Sequence, residues 1–210
     1  MKQPYENVYL GNFIFALGFY AAETKRGLSD KSIQLVQQTP DEEILNDLFI
    51  NWSGRSFIFE FKRNKKKIST ELEKDEKKSI NNALNLTENE NWLNLSNKAH
   101  FLGFGLPSGL GFIHYSSIHK DFDKYISLPA LCKAVLSQNT DFGLNHKELV
   151  EYLDFIKSVT GTTSEGCGGF ILNISEEGDL NMIPFDDVNV LSQSLDMEYE
   201  NISYSSRMGM

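Results

Sequence analysis

Three side chains set the chemical question. Asp47 lies thirteen positions before Glu60, and the triplet Glu60-Phe61-Lys62 closes an apolar run, "SFIFEFK", which Arg63, Lys65, Lys66 and Lys67 follow at once. A hard divalent cation such as Mg²⁺ is held by one or two carboxylates while water and substrate oxygens take its other positions. Asp47 and Glu60, on adjacent strands, meet that requirement. A cation so held polarises a phosphate and lowers the pKa of a bound water, and a neighbouring ammonium orients the water and offsets developing charge. Lys62 has the right type and place for that part. The basic residues beyond it would grip a phosphate backbone on either side of the scissile bond. The competing reading is plainer: Glu60 and Lys62 form a solvent-facing ion pair of the kind that blunts an edge strand.

Side chains alternate across a strand, so Phe57, Phe59 and Phe61 share one face and Ser56, Ile58, Glu60 and Lys62 the other. Upstream, "EILNDLFINW" (43–52) reads as a strand around Asp47, and "SGR" supplies a turn. In the resulting hairpin Asp47 lies opposite about position 60, and a slip of one residue would send it to the far face. A helix is expected over residues 5–24, apolar on nearly all sides and therefore buried. "SIQLVQQ" (32–38) reads as a short strand, and residues 68–98 as helix, broken near Asn85 to Asn91. "AHFLGFG" (99–105) and "GLGFIHY" (109–115) make a second strand pair. Helices over 128–138 and 146–159 lead to a last hairpin, "GFILNIS" with "LNMIPF", turning at Glu177-Gly178-Asp179.

At Asp47 and Glu60-Phe61-Lys62 the chain resembles the PD-(D/E)XK nuclease superfamily, whose pattern is an acidic residue on one strand and Glu-x-Lys on the next. Glu-x-Lys alone is a weak signal, and the strand context, the upstream Asp and the order of elements add to it. The resemblance spans about residues 5–105 and implies an α/β fold: an α-β-β-β-α-β restriction-endonuclease-like core, with a mixed central sheet flanked by helices. Residues 1–105 would form that core. Residues 106–210 would be a C-terminal α+β elaboration packed on the same domain, made of a hairpin, two helices and a terminal hairpin. The chain departs from the family in having Asn46, not Pro, before Asp47.

The resemblance further implies a Mg²⁺- or Mn²⁺-dependent DNA endonuclease of a bacterial defence, restriction or recombination system. Asp47, Glu60, the Phe61 carbonyl and a first-helix glutamate, Glu6 in preference to Glu23, would bind the metal. Lys62 would position the attacking water, and Arg55, Arg63, Lys65, Lys66 and Lys67 would contact nucleic acid. A homodimer is expected by the same analogy, since cutting both strands of a duplex takes two sites. The alternative is a catalytically silent scaffold subunit, of this fold or an unrelated α+β one, that recruits a protein partner.

Composition bears on these readings. The 210 residues are 40% hydrophobic and 12% aromatic, enough to bury one substantial core. A net charge of −9 argues against a nucleic-acid partner at first sight, but residues 55–67 hold six basic side chains against Glu60 alone, a local +5 beside −14 for the remainder. Residues 176–206 hold eight carboxylates and no Lys or Arg, a surface suited to a protein partner because it would repel nucleic acid. No stretch has the 18 to 20 or so apolar residues that span a bilayer, and Met1 to Glu6 lacks a secretory signal, so a cytoplasmic protein is expected. Cys132 and Cys167 form no CxxC pattern. "GFGLPSGLG" (103–111) lacks phosphate-loop spacing. Cys167 as a nucleophile would need His114, His119 or His146 within reach, and a turn with an incidental cysteine is the simpler reading. His114, His119, Asp121 and Asp123 read as a polar surface rather than a metal site.

Overall fold

The structure, a computed structural model, describes residues 6–23, 33–35, 54–71, 75–107, 109–119, 124–137, 139, 141–160, 169–176 and 180–185. Among the described residues six α-helices, α1 (Glu6–Glu23), α2 (Lys65–Glu71), α3 (Asp75–Leu84), α4 (Glu90–Ala99), α5 (Leu128–Val135) and α6 (His146–Thr160), with 3₁₀ turns at Thr87–Asn89 before α4 and at Tyr115–Ser117, flank one sheet. Its strands are β1 (Ile33–Leu35), β2 (Arg55–Lys62), β3 (His100–Leu106), β4 (Gly109–His114), β5 (Ile126–Ser127), β6 (Gly169–Ile174) and β7 (Leu180–Phe185). The class is mixed α/β, as expected.

The strand order is β1-β7-β6-β2-β3-β4-β5, five full strands with a short one at each edge. β2 is the middle strand. It runs parallel to β3 and antiparallel to β6, while β3-β4, β4-β5 and β6-β7 are antiparallel and β1-β7 is parallel. Parallel neighbours cannot be joined by a tight turn, and the helical stretch α2–α4 provides the crossover from β2 to β3. The β3-β4 and β6-β7 hairpins lie where the alternating apolar runs place them.

The two faces differ in chemistry. On one, Phe57, Phe59, Phe61, Phe101, Phe112 and Phe170 are buried beneath α1 and α5. Phe13 of α1 is the knob at their centre, its ring 4.8 Å from Phe59, 5.5 Å from Phe112 and 5.6 Å from Phe170. Tyr9, one turn earlier, sets its hydroxyl so close to Gly105 that a Cβ there would overlap it, so glycine is required for α1 to seat. Among its described side chains the stripe Tyr9, Phe13, Leu17 and Ala21 is buried; Val8, Phe15 and Phe19 are exposed, Phe15 at 77%. The expectation of an all-round buried helix is thus corrected: four-residue spacing, not total apolarity, selects the packed face. On the opposite face α4 and α6 pack together, with Trp92 stacked on Phe155 at 4.9 Å, and cover β2 and β3. Ile68 of α2 joins Leu102, Phe104, Ile113 and Ile118 in a smaller cluster there.

The segment 43–52, with Asp47, lies outside the described residues, but both hydrogen-bonding sides of β2 at Glu60 are taken, by Leu102 of β3 and Gly169 of β6. β6 and β7 of the C-terminal half sit in the same sheet, between β1 and β2. The turn 177–179 and residues 186–206 lie outside the described residues.

Candidate functional site

The strand that carries Glu60 and Lys62 is central and both side chains are buried, Glu60 at 2% and Lys62 at 7% exposure. The solvent-facing edge pair is excluded by this placement. Lys and Glu are almost never buried unless paired or at work, because the charged form loses its hydration. Their face holds further buried polar groups: Asn173 Nδ2 donates to Ser56 Oγ at 3.2 Å across the β2-β6 ladder. Gly169, opposite Glu60 in that ladder, brings no side chain against it.

His100, first residue of β3, completes the surroundings of Glu60. In the parallel register it pairs with Ile58, which puts it on the Glu60 face one step away. Its Nε2 lies 3.4 Å from Glu60 Oε1, and its Nδ1 lies 3.0 Å from the hydroxyl of Tyr152 on α6. The imidazole also stacks on Tyr115 at 4.1 Å with planes 9° apart. The sequence reading missed His100, Tyr115 and Tyr152. A signal existed for the first, a polar residue heading an apolar strand in phase with the paired face; for the tyrosines, which come from a 3₁₀ turn and a helix, none did.

The other expected site residues fall out as follows. Asp47 lies outside the described residues. Glu6 opens α1 and Glu23 closes it, exposed; the side-chain placement of Glu6 is likewise outside. Phe61 points its ring into the aromatic face, within 6.1 Å of Phe13 and 5.7 Å of Phe170, leaving its main chain in β2 beside Glu60. Arg63 and Lys65 are half-buried and Lys66 and Lys67 exposed, at the end of β2 next to Lys62. Asn64 caps α2 there through Oδ1, which accepts from the Lys67 amide at 3.0 Å.

Arg55 behaves otherwise than expected. Its guanidinium donates to the carbonyls of Asn139 at 2.7 Å, Phe142 at 2.8 Å, Val135 at 3.1 Å and Ser137 at 2.5 Å. Charge-assisted bonds to four carbonyls, from the last residue of α5 onward, make it a structural clamp. It also sits at the start of β2, the end opposite Lys62.

Whether these residues suit a divalent cation can be judged from the donors present. Among the described residues no group of three or more His, Cys, Asp or Glu side chains comes together as a metal-binding set. Glu60 and His100 supply one carboxylate and one imidazole, so a fuller ligand set depends on Asp47 or Glu6. His114 is in β4, beside Phe101, and burial holds its pKa below the usual histidine value, partly opposed by a hydrogen bond with the Asn97 backbone. His119 is exposed, and Asp121, Asp123 and Cys167 lie outside the described residues. Cys132 is buried, with its thiol pushed up to about 12 by loss of hydration, which leaves it protonated and unreactive. No described helix is long and apolar enough to cross a membrane. Comparison with known proteins finds no matching family model, no matching curated protein and no matching solved structure.

Proposed function

We propose that the chain is a divalent-cation-dependent nuclease of restriction-endonuclease-like fold, acting on DNA in a bacterial defence, restriction or recombination system. The observation that carries this reading is the burial of Glu60 and Lys62, side by side on one face of the central strand. A buried carboxylate and ammonium at the end of a parallel strand, where open α/β sheets place their ligands, is the arrangement expected of a reacting site. Glu60, with Asp47 and the Phe61 carbonyl, would hold Mg²⁺ or Mn²⁺. The ion, when bound, would supply Lewis acidity toward the phosphate and a more acidic water. Lys62 would orient that water and balance charge on the phosphate oxygens, while Arg63, Lys65, Lys66 and Lys67 hold the flanking backbone.

The same reading includes a cytoplasmic location, a homodimer for double-strand cutting and a protein partner for the acidic 176–206 segment. The test is incubation of the purified protein with plasmid and single-stranded DNA in Mg²⁺ or Mn²⁺, beside Glu60→Ala and Lys62→Ala. Chelator-sensitive cleavage, lower by roughly 10²-fold or more in each variant, is expected of a group that stabilises the transition state. Cleavage at the wild-type rate by both variants overturns the assignment.

A second reading, a catalytically silent binding module of unrelated α/β fold, has specific support. The Glu60 carboxylate faces His100, and the antiparallel neighbour of β2 at Glu60 is β6. In that case the buried polar cluster specifies the packing of α6 on the sheet, and the protein neither cleaves DNA nor binds divalent cations.

A further inference from the structure

We propose that Tyr125 is a stacking platform for an unpaired base, so that the site takes single-stranded DNA or the single-stranded segment of a larger substrate. The inference rests on the nuclease reading of Glu60 and Lys62, and it names the form of nucleic acid that their site accepts.

Strand register carries the site face of β2 across the sheet to this residue. Lys62 pairs with Phe104 of β3, Phe104 with Gly111 of β4, and Gly111 with Ser127 of β5. Paired residues point to the same face, and so do residues two apart along a strand, which puts Tyr125 on the face of Lys62. The ring contact agrees with this: Tyr125 meets Phe104 edge-on at 6.2 Å and 79°. Three strand spacings, about 14 Å, separate β5 from β2.

The ring is held from behind and open in front. Gly111 has no side chain, and the place its Cβ would take is shared by Tyr125 Cδ2 and Leu106 Cδ1, each 3.0 Å away, and by Phe104 Cζ at 3.3 Å. Phe104 is fully buried, yet Tyr125 is 46% exposed. An aromatic ring already fixed by such a pedestal has little freedom left to lose when a base stacks on it.

Basic side chains flank the same apolar cluster. Ile68 of α2 packs in it with Phe104, and the preceding Lys66 and Lys67 are exposed. Lysines that follow a phosphate backbone, beside an aromatic face for a base, are the combination by which proteins hold single strands. An intact duplex would offer the lysines its phosphates but offer Tyr125 no base face, because its bases are stacked on one another.

The test is fluorescence anisotropy on the full-length protein in chelator, with a dye-labelled oligonucleotide of mixed sequence, either unpaired or annealed to its complement. Wild type should prefer the unpaired strand. Tyr125→Ala should bind that strand roughly 5- to 150-fold more weakly, and Tyr125→Phe, which keeps the ring, should stay close to wild type. Tyr125→Trp should bind at least as tightly as wild type, and its added fluorescence should be quenched by the unpaired strand. A wild type that prefers duplex or binds neither form, a Tyr125→Ala protein with undiminished affinity, or equal losses in the Ala and Phe variants would overturn the proposal. Cleavage in Mn²⁺ is scored separately: wild type that binds the unpaired strand through Tyr125 and cuts nothing sinks the nuclease reading and leaves the platform standing.

Discussion

Nε2 of His100 lies 3.4 Å from Oε1 of Glu60, a meeting of two side chains that are 1% and 2% exposed and stand on parallel neighbouring strands. The register of β2 and β3 is what creates it, because pairing Ile58 with His100 and Glu60 with Leu102 puts the imidazole a single step from the carboxylate on the same face. Polarity is thus concentrated on one side of the sheet, while the other is an aromatic layer. The same strand, β2, serves both: Phe57, Phe59 and Phe61 build the aromatic layer, and Glu60 and Lys62 belong to the candidate site.

Arg55 should prove a stability residue. Its guanidinium bonds four carbonyls between Val135 and Phe142, and Arg55→Ala would strand several of them partly buried. With a charge-assisted bond worth about 1.5–3 kcal/mol, and the bonds not additive, a loss of about 2–4 kcal/mol is expected in denaturant unfolding. DNA affinity should hardly change. A variant of undiminished stability but weakened DNA binding would restore Arg55 to the phosphate track.

Phe13 and Phe15 give a matched pair. Phe13 is fully buried against Phe59, Phe112 and Phe170, so Phe13→Ala should cost about 3–5 kcal/mol. Phe15, 77% exposed two positions later, should give a change within about 0.5 kcal/mol on Phe15→Ala. Equal costs at both positions would mean that the outer face of α1 is covered in solution.

What the sequence could and could not reveal divides along local and non-local lines. Alternation in "SFIFEFK" and "AHFLGFG" was enough to place β2 and β3 and to phase Glu60 with Lys62, since side-chain direction in a strand is a local property. Which strand lies beside β2 is not local. Adjacent segments were expected to pair, yet the antiparallel neighbour of β2 is β6, which follows it in the chain by more than a hundred residues. Burial of Glu60 is non-local in the same way, because α6, which packs on β2, carries no mark in its sequence of where it docks. Arg55 sat in a basic run, and the carbonyls that claim it lie some eighty residues on.

Acid should weaken the fold before its carboxylates titrate. Burial lowers the pKa of His114 and of His146 below 6.5, and in each the Nδ1 atom is buried with no hydrogen-bond partner among the described residues. The unfolded chain then binds protons more readily than the folded one as pH falls below about 6.5, so stability is full above that pH and declines beneath it. Melting temperature should drop between pH 7 and 5.5, and the combined His114→Phe, His146→Gln variant should show a flatter profile. An identical slope in wild type and variant would contradict the assignment of the loss to these two rings.

The claim on which the account turns is that Glu60 holds a divalent cation, and a Mn²⁺ titration followed by electron paramagnetic resonance tests it without reference to any substrate. The account expects wild type to take up Mn²⁺ and Glu60→Gln, folded to the same melting temperature or higher, to bind it at least about tenfold more weakly. Mn²⁺ uptake that is absent from wild type, or unchanged in Glu60→Gln, would contradict it.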